Sequence, residues 1–296
     1  MTRSDLSLTS HGDSLSAWHH HAETDAWTTA AGRPCVVMAH GFGATKDAGL
    51  TPFAERFAAA GADVVVFDYR GFGTSGGAPR QQVDHRRHRA DYRSVLSQVR
   101  GLDGIDPDRV VLWGSSYSGG HVVAVAAGDP RVAAVISQGA AMDGLAAVAE
   151  IVTYAGVRQV LRLTAHALRG LVQRGHEIPI VAAPGELAAI TSHDGLSGYE
   201  IIMGPTFENR MLARGILPIL LNRPVSSASR LRMPVMLVIA ASDTIAPPSA
   251  VERVAARVRG RVEVERFDVG HFEIYRGEVF EKSVAAQVAF LDSVLG

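Results

Sequence analysis

A serine held between small residues at the end of an apolar run is the first feature of this chain whose residue types could do chemistry. The run Val110-Val111-Leu112-Trp113-Gly114-Ser115-Ser116-Tyr117-Ser118-Gly119-Gly120 reads as a strand that stops in small residues and restarts as a helix. In such a turn the serine hydroxyl is pushed clear of the backbone, and the positions two before and two after it are drawn together and must be small. Gly114 and Ser118 meet that requirement around Ser116, with Ser118 standing where glycine is the usual occupant. Gly119 and Gly120 keep the helix start uncrowded.

A serine hydroxyl is a poor nucleophile at neutral pH. It needs an imidazole to take its proton and a carboxylate to fix the imidazole's tautomer. His271 lies in Phe267-Asp268-Val269-Gly270-His271-Phe272, directly after the last apolar run, where the chain can return a ring to the turn. Asp243 follows the run Val235 to Ala241 and precedes His271 by 28 residues, room for one helix and one strand. Asp143, after the run ending near Ser137, is the rival acid, and Asp243 is preferred to it. Negative charge on an attacked carbonyl oxygen also needs preorganised donors, each worth roughly 10² to 10³ in rate. The backbone N–H groups of Tyr117 and of Phe42, in His40-Gly41-Phe42-Gly43, are the candidates. Asp68 reads as structural, in a turn Asp68-Tyr69-Arg70-Gly71-Phe72-Gly73 held by its own side-chain hydrogen bonds.

These residues all follow short apolar runs that must place them. Pro34 to Ala39, Asp63 to Phe67, Arg109 to Trp113, Val132 to Ser137, Pro234 to Ala240 and Val262 to Phe267 suit parallel strands buried on both faces. Helical spacing separates them, in Tyr92, Val95, Leu96 and Val99, in Val251, Val254, Ala255 and Val258, and in Val284, Val288, Leu291 and Leu295. Strand and helix alternation predicts an α/β fold with a mostly parallel sheet and ligands at the carboxyl ends of its strands. Leu6 to Ser10 and Ser14 to Trp18 read as two edge strands turning at His11-Gly12-Asp13. From 142 to 230 the alternation breaks, so this stretch is expected to be a cap inserted over the site, with 1–141 and 231–296 forming the core. Its Leu, Ile, Val and Met residues are assigned mainly to packing.

Composition narrows the classes. The chain of 296 residues is 47% apolar and 20% charged, with a formal net charge of -1. That charge offers no long-range attraction to nucleic acid or to an anionic membrane, and neither is expected as a partner. His85-Arg86-Arg87-His88-Arg89 reads as a solvated helix start. Cys35 is the only cysteine and lies in an apolar run, as a small buried hydrophobe. His19, His20 and His21 are consecutive, so on a strand they cannot all ligate one metal; neither a metal nor a cofactor is expected. No stretch approaches the roughly 20 apolar residues of a membrane span, and the polar start from Met1 to Ser10 lacks the core of a signal peptide. A cytoplasmic location is the resulting expectation.

With these residues assembled, the chain resembles the α/β hydrolases along nearly its whole length. More narrowly it is similar to the esterase-like branch related to the X-Pro dipeptidyl-peptidase and dienelactone-hydrolase groups, which includes the fungal polyketide transferases. The likeness rests on Leu112 to His121, on Phe67-Asp68-Tyr69-Arg70-Gly71-Phe72-Gly73, on Gly270-His271-Phe272-Glu273-Ile274-Tyr275, and on Glu208-Asn209-Arg210 in the cap. Glu273 departs from the aspartate common at that place. The resemblance implies an α/β-hydrolase fold and serine catalysis by Ser116, Asp243 and His271 on a small-molecule acyl substrate, through an acyl-enzyme. Ester or thioester hydrolysis is the expected reaction, with acyl transfer to an alcohol or amine as the alternative. Aminopeptidase activity and a non-enzymatic ligand-binding role rank behind both, and the substrate itself does not follow from the fold.

Overall fold

In the computed structural model, which describes residues 2–296, eight strands form one mixed sheet in the order β1-β2-β4-β3-β5-β6-β9-β10. The strands are β1 (Arg3–Ser10), β2 (Asp13–His20), β3 (Arg33–Ala39), β4 (Asp63–Phe67), β5 (Ile105–Ser115), β6 (Ala134–Gln138), β9 (Val235–Ala240) and β10 (Val262–Phe267). β7 (Glu177–Ile178) and β8 (Met211–Leu212) make a separate two-stranded ribbon. The expected α/β-hydrolase architecture is present. β1 and β2 pair antiparallel, β2 is antiparallel to β4, and every later pairing in the sheet is parallel.

Parallel strands carried between helices are covered on both faces, and β3, β4, β5, β6 and β9 are Val- and Ile-rich and almost wholly buried. One face packs on α2 (His85–Val99) and α3 (Tyr117–Ala126), through Tyr92, Val95, Val122 and Val125. The other packs on α1 (Thr51–Ala60) and α7 (Gly277–Leu295), through Phe53, Phe57, Phe290 and Leu291. α6 (Pro248–Ala255) joins β9 to β10. β10 departs from the expectation of burial on both faces: it ends the sheet, and Glu263, Glu265 and Arg266 leave it partly exposed.

Between β6 and β9 the chain leaves the sheet. It forms α4 (Gly144–Val172), β7, α5 (Gly195–Ile202), β8 and two 3₁₀ segments, Ala213–Leu221 and Pro224–Arg230. α4 starts where Asp143 accepts from the N–H of Leu145 at 3.1 Å, a side-chain cap. It is broken at Gly156, whose φ of 78° and ψ of 167° are not helical. Contrary to the expectation that no stretch approaches a membrane span, α4 is by length and composition alone long and apolar enough to cross one. Glu208-Asn209-Arg210 holds this segment together: the Asn209 carboxamide accepts from the N–H groups of Ile180 and Val181 and donates to the Val181 carbonyl, and Arg210 pairs with Glu208 and Glu177.

Two local readings change. Asp84, not the basic run, caps α2 by accepting from the N–H of Arg86, and His85 and His88 point inward rather than to solvent. Asp68 is held less by its own turn than by Lys46, whose N–H and Nζ donate to it at 2.6 and 2.8 Å, both groups being buried.

Candidate active site

β5 delivers Ser116 into a backbone conformation with φ 57° and ψ −120°, at the first turn of α3. Non-glycine residues adopt positive φ at a cost, and here the surrounding backbone holds it: the N–H of Ser116 donates to the Gln138 carbonyl at 2.8 Å, and its carbonyl accepts from the N–H of Ala141 at 3.0 Å. The small residues are needed for space. A β-carbon on Gly114 would lie 2.4 Å from the Ser118 carbonyl oxygen, and one on Gly120 would lie 2.4 Å from that of Ala141. Serine is accommodated at 118, where its hydroxyl forms a 2.9 Å hydrogen bond with that of Tyr69 inside the core.

The loop after β10 brings His271 to this turn. Its Nε2 lies 3.0 Å from the Ser116 Oγ, and its Nδ1 lies 2.6 Å from Oδ2 of Asp243. A carboxylate can only accept, so the proton of the neutral ring is on Nδ1 and Nε2 is left to accept from the serine hydroxyl. Asp243 is itself fixed, its Oδ1 accepting from the N–H groups of Ile245 and Ala246 at 2.8 Å each. Burial works against a charged His271 ring, but the adjoining Asp243 carboxylate, with Asp194 farther off, raises its pKa above the ordinary 6.5. Glu273 closes the loop, accepting from the N–H of Gly270 at 2.5 Å, so the departure from aspartate keeps a carboxylate where the turn uses one.

Asp143 is not brought to the imidazole. It caps α4 and pairs with Arg223 at 3.0 Å and Arg253 at 3.4 Å. The loop after β3 runs against Ser116: a β-carbon on Gly41 would stand 2.9 Å from its Cβ and 3.2 Å from its Oγ. Among the described residues neither the N–H of Phe42 nor that of Tyr117 has a backbone acceptor. Phe42 and Tyr117 line the same pocket as Ser116. Sequence reasoning missed Tyr199 of α5, whose hydroxyl donates to the Phe42 carbonyl at 2.6 Å and fixes this loop. Nothing in the sequence marks it, because it comes from the stretch between β6 and β9, where the strand and helix alternation is lost.

Ser116 opens on a mostly apolar pocket that Phe42 and Tyr117 share with Ala147, Ile151 and Tyr154 of α4, with Ile190, and with Ile219. A wider depression beside Phe272, Asp194 and Arg276 is lined by none of Ser116, Asp243 and His271.

The histidines of β2 form a different cluster. His19 and His21 share a face with Asp63, their ligand atoms lying within 4.8 Å of one another, an acid the sequence reading did not bring near them. Asp63 already accepts from Arg33 at 2.7 Å and lies 2.7 Å from His19, so both its oxygens are engaged, and His21 is bonded to Ser4. Cys35 is buried, and burial pushes its thiol far above the usual range.

Residues 30–275 match the family described as serine aminopeptidase, S33. The chain is 39% identical over 273 residues to the quorum-quenching protein AidA of Acinetobacter baumannii, covering 90% of this chain and 89% of that protein. It is 30% identical over 283 residues to the thiohydrolase aneE of Aspergillus aculeatus, covering 90% and 87%. The crystal structure of the α/β hydrolase GrgF from Penicillium sp. sh18 superposes with a TM-score of 0.79 at 23% identity, covering 100% of this chain and 99% of that one. A sequence relative from Penicillium, the polyketide transferase grgF, is 32% identical over 110 residues, covering 37% of each chain.

Proposed function

The chain belongs to the serine aminopeptidase S33 family of α/β hydrolases, and on that premise we propose that it cleaves carboxylic ester or thioester bonds through Ser116, His271 and Asp243. The observation that carries this is the unbroken line of hydrogen bonds from the Ser116 Oγ through His271 to Asp243, at 3.0 and 2.6 Å.

The Ser116 oxygen attacks the acyl carbonyl carbon while Nε2 of His271 takes its proton. Asp243 keeps the ring in the accepting tautomer and stabilises its cation. The Phe42 and Tyr117 amides bind the developing oxyanion. His271 then returns the proton to the departing alkoxide or thiolate, leaving an acyl-enzyme. A water activated by the same ring releases the acid and restores the serine.

The pocket supports an acyl group over a peptide amino terminus. Among its lining residues Asp143 alone carries a carboxylate, and Arg223 and Arg253 neutralise it. An ammonium group would find no free anion there. The relative named a thiohydrolase supports the thioester side of the reading. Acyl transfer is the second reading, favoured by the relatives named polyketide transferases. It needs only that an alcohol or amine replace water at the acyl-enzyme.

A panel of p-nitrophenyl esters and acyl thioesters of increasing chain length, with and without an added alcohol, tests both. The proposal expects turnover of esters or thioesters that vanishes in Ser116→Ala, with an acylated alcohol among the products if transfer competes. Turnover confined to aminoacyl amides would contradict it.

A further inference from the structure

We propose that the second half of α4 is a docking surface for an anionic lipid bilayer. The break at Gly156 divides α4 into two parts with different duties. The first part, through Ala147, Ile151 and Tyr154, walls the pocket that holds Ser116. The second part runs from Val157 to Val172, about 24 Å at 1.5 Å per residue. It turns Gln159, Leu163, Ala167 and Gly170 inward. Its opposite face presents Val157, Leu161, Leu168, Leu171 and Val172 to solvent, with Leu161 64% and Val172 87% exposed. These positions recur every three or four residues around Ala165, so they form one stripe. A contiguous apolar stripe on a protein surface marks a place where something binds.

Charge says what binds. Arg158, Arg162, Arg169 and Arg174 flank the stripe, and all four are exposed. From Ile151 to His176 the sequence contains no aspartate or glutamate. Among the described residues none of the four arginines pairs with a carboxylate; Arg169 bonds the neutral Gln173 side chain. An apolar stripe edged by cations, with no acid within it, is the composition of a helix that lies in an anionic interface. A second copy of the chain fits less well, since two-fold packing of the stripe on itself would set arginine against arginine with no acid between them. The helix lies on the surface rather than across it, because Arg158 and Arg162 fall near the centre of α4 as a whole and Gly170 on its inner face packs against Ala213 and Arg214. The net charge of -1, averaged over the chain, hides this local asymmetry and led to the expectation of no membrane partner. One consequence rests on the proposed acyl chemistry: a bilayer against this helix would lie beside the pocket's wall and supply apolar acyl substrates there. The docking itself does not depend on that chemistry.

Co-sedimentation of the full chain with phosphatidylcholine vesicles, with and without phosphatidylglycerol, tests the proposal. Binding is expected to the anionic vesicles, to weaken steeply as salt approaches about 1 M, where the screening length falls to about 3 Å. Two variants, Leu161→Gln/Leu168→Gln/Leu171→Gln and Arg158→Gln/Arg162→Gln/Arg169→Gln, are each expected to lower vesicle affinity by about tenfold or more. Retained circular dichroism and an unchanged melting temperature show that both remain folded, whatever substrate the site takes. Absence of binding by the unaltered protein, or equal binding to vesicles lacking phosphatidylglycerol, would overturn the proposal. So would a dimer in sedimentation velocity that the leucine variant dissociates, which would give the stripe to a second copy.

Discussion

The hydroxyl of Tyr199 donates to the carbonyl oxygen of Phe42 at 2.6 Å, tying the segment above the site to the loop that faces the nucleophile. The peptide on the other side of Phe42 carries one of the two amides assigned to the oxyanion. Tyr199→Phe keeps the ring packing against Phe207 and Phe272 and removes only this bond. A hydrogen bond of this kind is worth about 1 kcal/mol. We expect kcat to fall by up to about tenfold with KM little changed, measured on whichever ester is turned over best. A change in KM alone would place Tyr199 in substrate binding instead.

Gly41→Ala tests the loop from the other direction. Its β-carbon would meet Ser116 Cβ at 2.9 Å, so either the loop or the nucleophile must shift. Displacement of catalytic groups by even about 1 Å costs about 10² in rate. The expected outcome is a loss of kcat of that order with a melting temperature close to that of the unaltered protein. Full activity would show that the loop does not constrain the serine.

The pH dependence has a defined sign. His271, the proposed base, can take a proton only when neutral, and the Asp243 carboxylate raises its pKa above the ordinary 6.5 despite burial. As pH rises, kcat/KM is therefore expected to climb through an inflection above that value. Removing the carboxylate in Asp243→Asn removes the cause of the upward shift, so the inflection moves to lower pH. An inflection that stays in place would mean that another group titrates.

Two carboxylates competed for the role of acid, and their separate replacement distinguishes them. Asp243→Asn is expected to lower kcat on the order of 10⁴-fold, as loss of the orienting acid does in other triads. Asp143→Asn removes the charge that pairs with Arg223 and Arg253 while its amide oxygen can still cap α4, so its effect is expected mainly in thermal melting. The reverse ranking would move the acid to Asp143.

The parts of this protein that were readable in its sequence are those with local causes. β4 falls where the apolar run placed it, because a short Val-rich run between helices has few other places to go, and β10 has the expected bounds although its charged residues leave it partly exposed. The Ser116 turn was visible because close backbone contacts dictate Gly114 and Gly120. His271 and Asp243 stood out because each follows a strand end, and the fold joins these side chains, which are 28 residues apart. What stayed hidden depends on distant partners. Tyr199 carries no signature, since its role is set by Phe42, 157 residues earlier. The inward turn of His85 and His88 was masked by three neighbouring arginines that suggested solvent. The pairing of His19 with Asp63 needed β2 to lie beside β4, a register that consecutive histidines do not reveal.

Covalent trapping tests the central claim most directly. A fluorophosphonate reacts with a serine whose proton a neighbouring base can take, and peptide mapping by mass spectrometry locates the adduct. The account expects a single adduct on Ser116, absent from Ser116→Ala and greatly slowed in His271→Ala. An adduct on another residue, with Ser116 unmodified, would contradict it.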